Sequence, residues 1–215
     1  MSQHTPSAQS PRLIDADAHN YTSSMDDLLP HLSKRWQAYV QQGGYKLSGV
    51  SLYPKIYAQA ARRDAIPSEG GIAGSDPDFA REQLLDEWNI DLAILNPLIG
   101  VPQIKNPELA VAMMRAVNDW TASRWLDHDP RWRGSILIHP GFPEASAEEI
   151  RRWASDRRFV QTLLMARSST PYGKRELDPI YKAASDAGLP IGIHFGGDYN
   201  SGRHDLETAK WMVKT

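Results

Sequence analysis

Two aspartates and a histidine stand at alternate positions in the stretch RLIDADAHN, residues 12–20. Side chains on a β-strand alternate between faces, so as a strand this run sets Asp15, Asp17 and His19 on one side and Ile14, Ala16 and Ala18 on the other. Two carboxylates and an imidazole converging on one small volume can hold a cation or move a proton. The same residue types also make an ordinary strand exit. Asp and Asn favour turns, and a single histidine is commonly a hydrogen-bonded or surface residue. Further ligands elsewhere in the chain must decide between the two readings.

Groups of this kind need a scaffold, and the rest of the chain reads as one. Beyond RLIDADAH, the strand candidates are DLAILNPL at 91–98, RGSILIHP at 133–140, FVQTLLMA at 159–166 and LPIGIHFGG at 189–197. They are rich in Ile, Leu or Val and bounded by turn residues, the pattern of strands buried on both faces of a parallel sheet. Helical patterns separate them. Asp76-Pro77, Asn106-Pro107 and Asp178-Pro179 each place a capping residue before a Pro at the first helical position. Between Glu108 and Leu126, residues Leu109, Met113, Val117 and Trp120 share one face at helical spacing, which marks a core-facing stripe. Gly188, followed by Leu189 and Pro190, predicts the end of the helix that begins near Pro179.

Strand and helix alternating in this way predict an α/β protein with a parallel sheet, either doubly wound or a (β/α) barrel. No GxGxxG or phosphate-binding loop follows the first strand, so the open sheet lacks its nucleotide fingerprint. Barrel enzymes gather reactive groups at the C-terminal ends of their strands. Polar residues recur there in this chain: Asp17 and His19, then Asn96, His139 and His194. Residues 21–75 break the short-loop rhythm. They read as a helical excursion followed by a Gly/Pro-rich loop, the kind of insertion that walls or covers a barrel mouth. Within it, Arg62 and Arg63 are either contacts for an acidic substrate or a solvated surface pair.

Composition removes several classes of function. With 24 Lys+Arg against 26 Asp+Glu, the chain offers no basic field for nucleic acid or an anionic membrane surface. The absence of cysteine excludes disulfides, a thiolate nucleophile and Cys-ligated metal, so any ion must be held by His, Asp, Glu or water. Residues 1–11 are polar and Pro/Ser-rich and read as a flexible tail, not a signal peptide. No run is long enough to span a membrane, and a cytoplasmic location is expected by default.

With DADAHN placed on the first strand and GLPIGIHFGG on the fifth, the chain resembles the second amidohydrolase family, the group related to aminocarboxymuconate-semialdehyde decarboxylase. The likeness runs on through REQLLDEWNIDLAILNPLIGV, AVNDWTASRWLDHDPRWRGSILIHP and the stretch from EEIRRWASD to IHFGG. It implies a (β/α) TIM barrel of the metal-dependent hydrolase type. Asp17 and His19 match the family's strand-one pair and His194 its strand-five ligand, a donor set for one divalent ion, with Zn²⁺ first and Mn²⁺ or Fe²⁺ as alternatives. Asp15 would support the strand or the ligands. The fourth strand carries no lysine to bridge a second metal.

On that resemblance, residues 12–215 correspond to five of the family's eight βα units, a partial barrel with the excursion at 21–75. The family's late histidine and aspartate, which serve proton transfer and complete its metal site, have no counterpart before Thr215. His139 and His204 are the candidates left for substrate or proton-transfer work, although His139 also suits a plain strand exit. His4, His31 and His128 read as surface residues. The implied function is hydrolysis or decarboxylation of a small carboxylic acid. The rival reading is a barrel fragment that is inactive or depends on a partner, and a homo-oligomer would be one source of the remaining strands. A metal-free barrel lyase and a doubly wound binding protein are the weaker alternatives.

Overall fold

The computed structural model describes residues 12–43, 61–168 and 171–197. Among these residues five strands form one parallel sheet: β1 (Ile14–Ala18), β2 (Leu92–Leu95), β3 (Trp132–Leu137), β4 (Phe159–Arg167) and β5 (Ile191–Gly197). Their spatial order is β1-β2-β3-β4-β5, the same as their order in the chain. A doubly wound sheet reverses direction at its switch point, whereas each strand here is added beside the last. With right-handed crossovers that order keeps the connecting helices on one face and leaves the other face as the inside of a half-barrel.

Five α-helices accompany the sheet among the described residues: α1 (Lys34–Gly43), α2 (Pro77–Ala80), α3 (Pro107–Trp120), α4 (Pro143–Trp153) and α5 (Asp178–Asp186). The wider i→i+5 turns of a π-helix extend α2 over Arg81–Asp86 and α3 over Thr121–Leu126. Two of the expected caps form as written. The Asp76 carboxylate accepts the Asp78 and Phe79 amides, and the Asn106 side chain accepts the Leu109 amide, each ahead of a Pro. The third does not. A 3₁₀ turn over Arg175–Leu177 runs directly into α5, so Asp178 already has helical angles and Leu177 takes the cap position without a side-chain bond. At the other end Gly188 has φ +65°, and its amide and that of Leu189 bond back to Ser185 and Ala184, closing the helix with a Schellman motif.

The stripe on α3 is core: Leu109, Met113, Val117 and Trp120 are each at most 3% exposed. It meets Ile136, Leu137 and Ile138 of β3 and its exit, while Trp120, Trp125 and Trp132 make edge-on ring contacts at 6.3 and 5.6 Å. A buried polar clamp reinforces this layer. Asn118 on α3 bonds both the carbonyl and the amide of Leu137, at 3.0 and 2.8 Å, and donates to Glu149 on α4 at 2.8 Å. Glu149 is fully buried and also accepts from Arg152 and from the Trp153 indole. Each polar atom of the clamp has a partner, the condition under which burying a carboxylate is tolerated.

The excursion opens with a 3₁₀ helix, Met25–His31, capped reciprocally by Ser24 and Asp27. It buries Leu28 against α3 and leads into α1. The sequence suggested a surface position for His31, but this residue is half-buried. Burial holds its imidazole below the usual histidine value, with the Asp119 charge opposing. A histidine with a depressed folded-state pKa binds fewer protons than in the unfolded chain, so stability is full above about pH 6.5 and falls as pH drops through the folded value. Urea midpoints measured from pH 7.5 to 5 should therefore fall less steeply in His31→Gln than in the parent chain. His128 does lie at the surface, beside Asp78.

Among the described residues, four of the six exposed large hydrophobic side chains lie at the outer strands. Leu13 and Ile14 at β1 and Ile193 and Phe195 on β5 are all at least half exposed. No helix among the described residues is long and apolar enough to cross a membrane.

Candidate metal centre

β1 ends at Ala18, so His19 is the first residue beyond the strand. Asp15 and Asp17 do not act as a pair. The Asp15 carboxylate accepts the Asp17 backbone amide at 2.9 Å, which fixes the local backbone and leaves Asp17 as the acid that reaches the site. His194 approaches from β5, at the opposite end of the sheet. Its Nε2 lies 3.2 Å from Asp17 Oδ1, and His19 Nε2 lies 3.9 Å from the same oxygen. The two imidazoles meet edge-on with centroids 4.9 Å apart. One donor atom from each of the three residues falls within 4.8 Å of the others.

Both rings are held in the form a cation needs. The His19 Nδ1–H donates to the Asn96 carbonyl at 3.2 Å, and the His194 Nδ1–H donates to the Phe195 carbonyl. A carbonyl can only accept, so each Nδ1 keeps its proton and Nε2 is the nitrogen left to bind a cation. Burial lowers the His19 pKa, against the raising charge of Asp17, which favours the neutral base that binds metal. Donors about 2 to 2.2 Å from one ion sit about 3 to 3.5 Å from each other, so this trio needs only a small contraction.

The excursion is strapped to this point. Gly74 has φ +76°, its carbonyl accepts the Tyr21 amide at 2.8 Å, and a Cβ on it would stand 2.5 Å from the His19 carbonyl oxygen. Only glycine permits that approach. Tyr21 packs against His19 with centroids 6.4 Å apart, and burial, reinforced by the Asp17 charge, raises its hydroxyl to about 12.

Behind the triad runs a polar row of which the sequence reading had marked only Asn96. Asn96, at the β2 exit, donates from Nδ2 to Asp17 Oδ1 at 2.8 Å. Its Oδ1 accepts from Ser135 of β3 at 2.6 Å and from Gln161 of β4 at 3.1 Å, and Gln161 also reaches Ser135 at 2.9 Å. Gly192 of β5 completes the row, because a Cβ there would come within 3.0 Å of the Gln161 amide. The available signal was Ser135 and Gln161 within two largely apolar strands, RGSILI and FVQTLLMA. Asp17, Asn96, Gln161 and Gly192, with Leu163, His194 and Phe195, line an open cleft of about 280 Å³.

The structure does not gather His139 into this group. It is buried, its Nε2–H donates to the Ile104 carbonyl at 3.0 Å, and its Nδ1 accepts the Gly141 amide at 3.1 Å. With both ring nitrogens engaged, it holds the turn between β3 and α4. His204 and His4 lie outside the described residues. Arg62 is exposed and bonded to Asp64.

A parallel half-barrel with carboxylate and imidazole donors converging from its first and fifth strands is the layout of a (β/α)-barrel protein with a metal-ligand cluster. The chain belongs to the amidohydrolase family, which it matches over residues 14–212. It is 28% identical over 149 residues to gamma-resorcylate decarboxylase of Rhodococcus jostii strain RHA1, a match covering 64% of this chain and 45% of the relative. Among solved structures it is similar to 5-carboxyvanillate decarboxylase of Novosphingobium aromaticivorans, determined with bound manganese, at TM-score 0.63 and 22% identity, over 97% of this chain and 58% of that one. It also resembles 2,6-dihydroxybenzoate decarboxylase from Rhizobium, at TM-score 0.55 and 17% identity, over 93% of this chain and 55% of that one. The chain thus spans about half the length of these relatives.

Proposed function

We propose that Asp17, His19 and His194 hold one divalent cation, and that the whole protein uses this centre to decarboxylate a small aromatic carboxylic acid. The observation that carries the reading is the geometry of the triad: two Nδ1-protonated imidazoles aim Nε2 at one carboxylate oxygen. The relatives favour decarboxylation over hydrolysis, since the curated relative and the two solved structures compared above all bear decarboxylase names. They also favour Mn²⁺ over the Zn²⁺ that led the expectation from sequence, because the solved relative holds manganese. A carboxylate donor is compatible with that choice.

When bound, the cation supplies Lewis-acid polarisation of a substrate oxygen. The chain's own residues do the positioning. The Asn96 carbonyl and the Phe195 carbonyl fix the ligand tautomers, and the Asn96 amide holds the Asp17 carboxylate. Gly74 and Tyr21 close one flank of His19. We assign His139 to the fold and keep His204 as the candidate for proton transfer.

The test is metal content after equilibration with equimolar Mn²⁺ and Zn²⁺, read on a size-fractionated species, together with CO₂ release from 2,6-dihydroxybenzoate. About one Mn²⁺ per chain with CO₂ release supports the reading. The exposed apolar residues of β1 and β5 favour a second reading, a half-barrel that works only with further strands. Metal uptake without turnover in a monomer would select it, and a metal-free protein would overturn the centre itself.

A further inference from the structure

The first strand and its exit carry two of the three donors, and the exit is tied down residue by residue. The Ala18 carbonyl accepts the Asn96 amide at 2.7 Å, the His19 ring donates to the Asn96 carbonyl at 3.2 Å, and the Tyr21 amide donates to the Gly74 carbonyl at 2.8 Å. These bonds run to the β2 exit and to the excursion. Asn20 turns the other way, to the helix layer, where its Nδ2 donates to Thr121 Oγ1 at 3.1 Å. Both residues are fully buried. Thr121 is the first residue of the π segment that extends α3, a wider turn of a kind frequent at functional sites.

For stability alone this contact is a poor choice. Asn20 Oδ1 is buried and accepts from nothing among the described residues. A buried carboxamide with an unused acceptor costs more free energy than one net hydrogen bond returns, whereas an apolar side chain of similar size avoids the cost. What the amide adds is direction. We infer that Asn20 is a positioning residue for the ligand beside it: anchored on Thr121, it fixes how His19 leaves the backbone and aims Nε2 at Asp17 Oδ1. The inference rests on the metal-centre reading. Residues 19 and 20 share one peptide plane, and the carbonyl of that peptide is packed against Gly74. With the carbonyl pressed on one side and the Asn20 side chain bonded on the other, the plane has little room to rotate. Ligand sets keep their function only within about 10 to 20° of the productive geometry, so loosening this plane is felt at the ion.

The test sets Mn²⁺ affinity, by calorimetry on the full chain, against the urea midpoint of the metal-free protein. Asn20→Leu should weaken Mn²⁺ binding about 5- to 10-fold, less than the loss typical of a group bonded directly to a ligand. Its urea midpoint should hold or rise. Thr121→Val should weaken binding in the same sense, and Thr121→Ser, which keeps the hydroxyl, should restore it. A contact that serves packing only gives the opposite pattern, a lower midpoint with Mn²⁺ affinity unchanged, and that result overturns the inference while leaving the metal centre standing. So does a Thr121→Ser variant that binds no better than Thr121→Val. Absence of Mn²⁺ uptake in the parent chain overturns the centre and the role of Asn20 with it.

Discussion

Replacing His194 with alanine is expected to abolish metal uptake, reducing the stoichiometry from about one ion per chain to none at micromolar metal. His194 contributes the Nε2 nearest to Asp17 Oδ1, at 3.2 Å, and it is the only donor of the triad on β5. Without it, Asp17 and His19 remain as two ligands on neighbouring positions, and two donors leave an exposed ion mostly to water. Loss of an outer-shell partner alone commonly costs 10- to 100-fold in affinity, so loss of a ligand should exceed about 100-fold. His19→Ala should behave alike. Calorimetric Mn²⁺ titration decides the matter, and unchanged stoichiometry in either variant would remove the proposed centre. Far-ultraviolet circular dichroism should stay the same in both, because neither imidazole belongs to the buried core.

The second large effect is on stability. Glu149→Ala should cost about 3 kcal/mol in urea unfolding, which for a chain of this length corresponds to about 6 to 12 °C in Tm. The carboxylate is fully buried and accepts from Asn118, Arg152 and Trp153, so its removal strands several donors at once. Arg152 softens the loss because it is partly exposed and keeps its 2.6 Å bond to Asp119. Glu149→Gln should cost less, about 1 to 2 kcal/mol, since the amide oxygen still accepts while its NH₂ group faces donors. A loss below about 0.5 kcal/mol for the alanine variant would mean that the clamp between α3, α4 and β3 contributes little.

The inner strands β2, β3 and β4 were readable because strands buried on both faces are nearly continuous apolar runs, and the bounds of all five fall within a few residues of those read from pattern, although β1 and β5 are partly exposed. The α3 stripe was readable for the same local reason. The Asp178 cap failed because a 3₁₀ turn upstream had already set its backbone, a matter of what precedes the motif and not of the motif itself. Asp17, His19 and His194 stood out as residues, and the resemblance joined them. Ser135 and Gln161 did not stand out, because their role is defined by partners far away in the chain. Gln161 bonds to Asn96 across 65 residues, and Asn96 bonds to Asp17 across 79. His139 shows the converse. A histidine at a strand exit looks available for chemistry until the Ile104 carbonyl and the Gly141 amide are seen to occupy its ring.

The strand order has a mechanical side. Among the described residues the sheet is an open arch whose two feet, β1 and β5, share no hydrogen bonds, yet the triad draws its donors from both. An ion seated there would be a tie between the feet, closing a loop through nearly the whole described chain. The grip on the ion and the curvature of the arch then become one quantity. Anything that flattens the sheet would loosen the ion, and seating the ion would draw in the exposed outer strands and stabilise the fold by the free energy of binding.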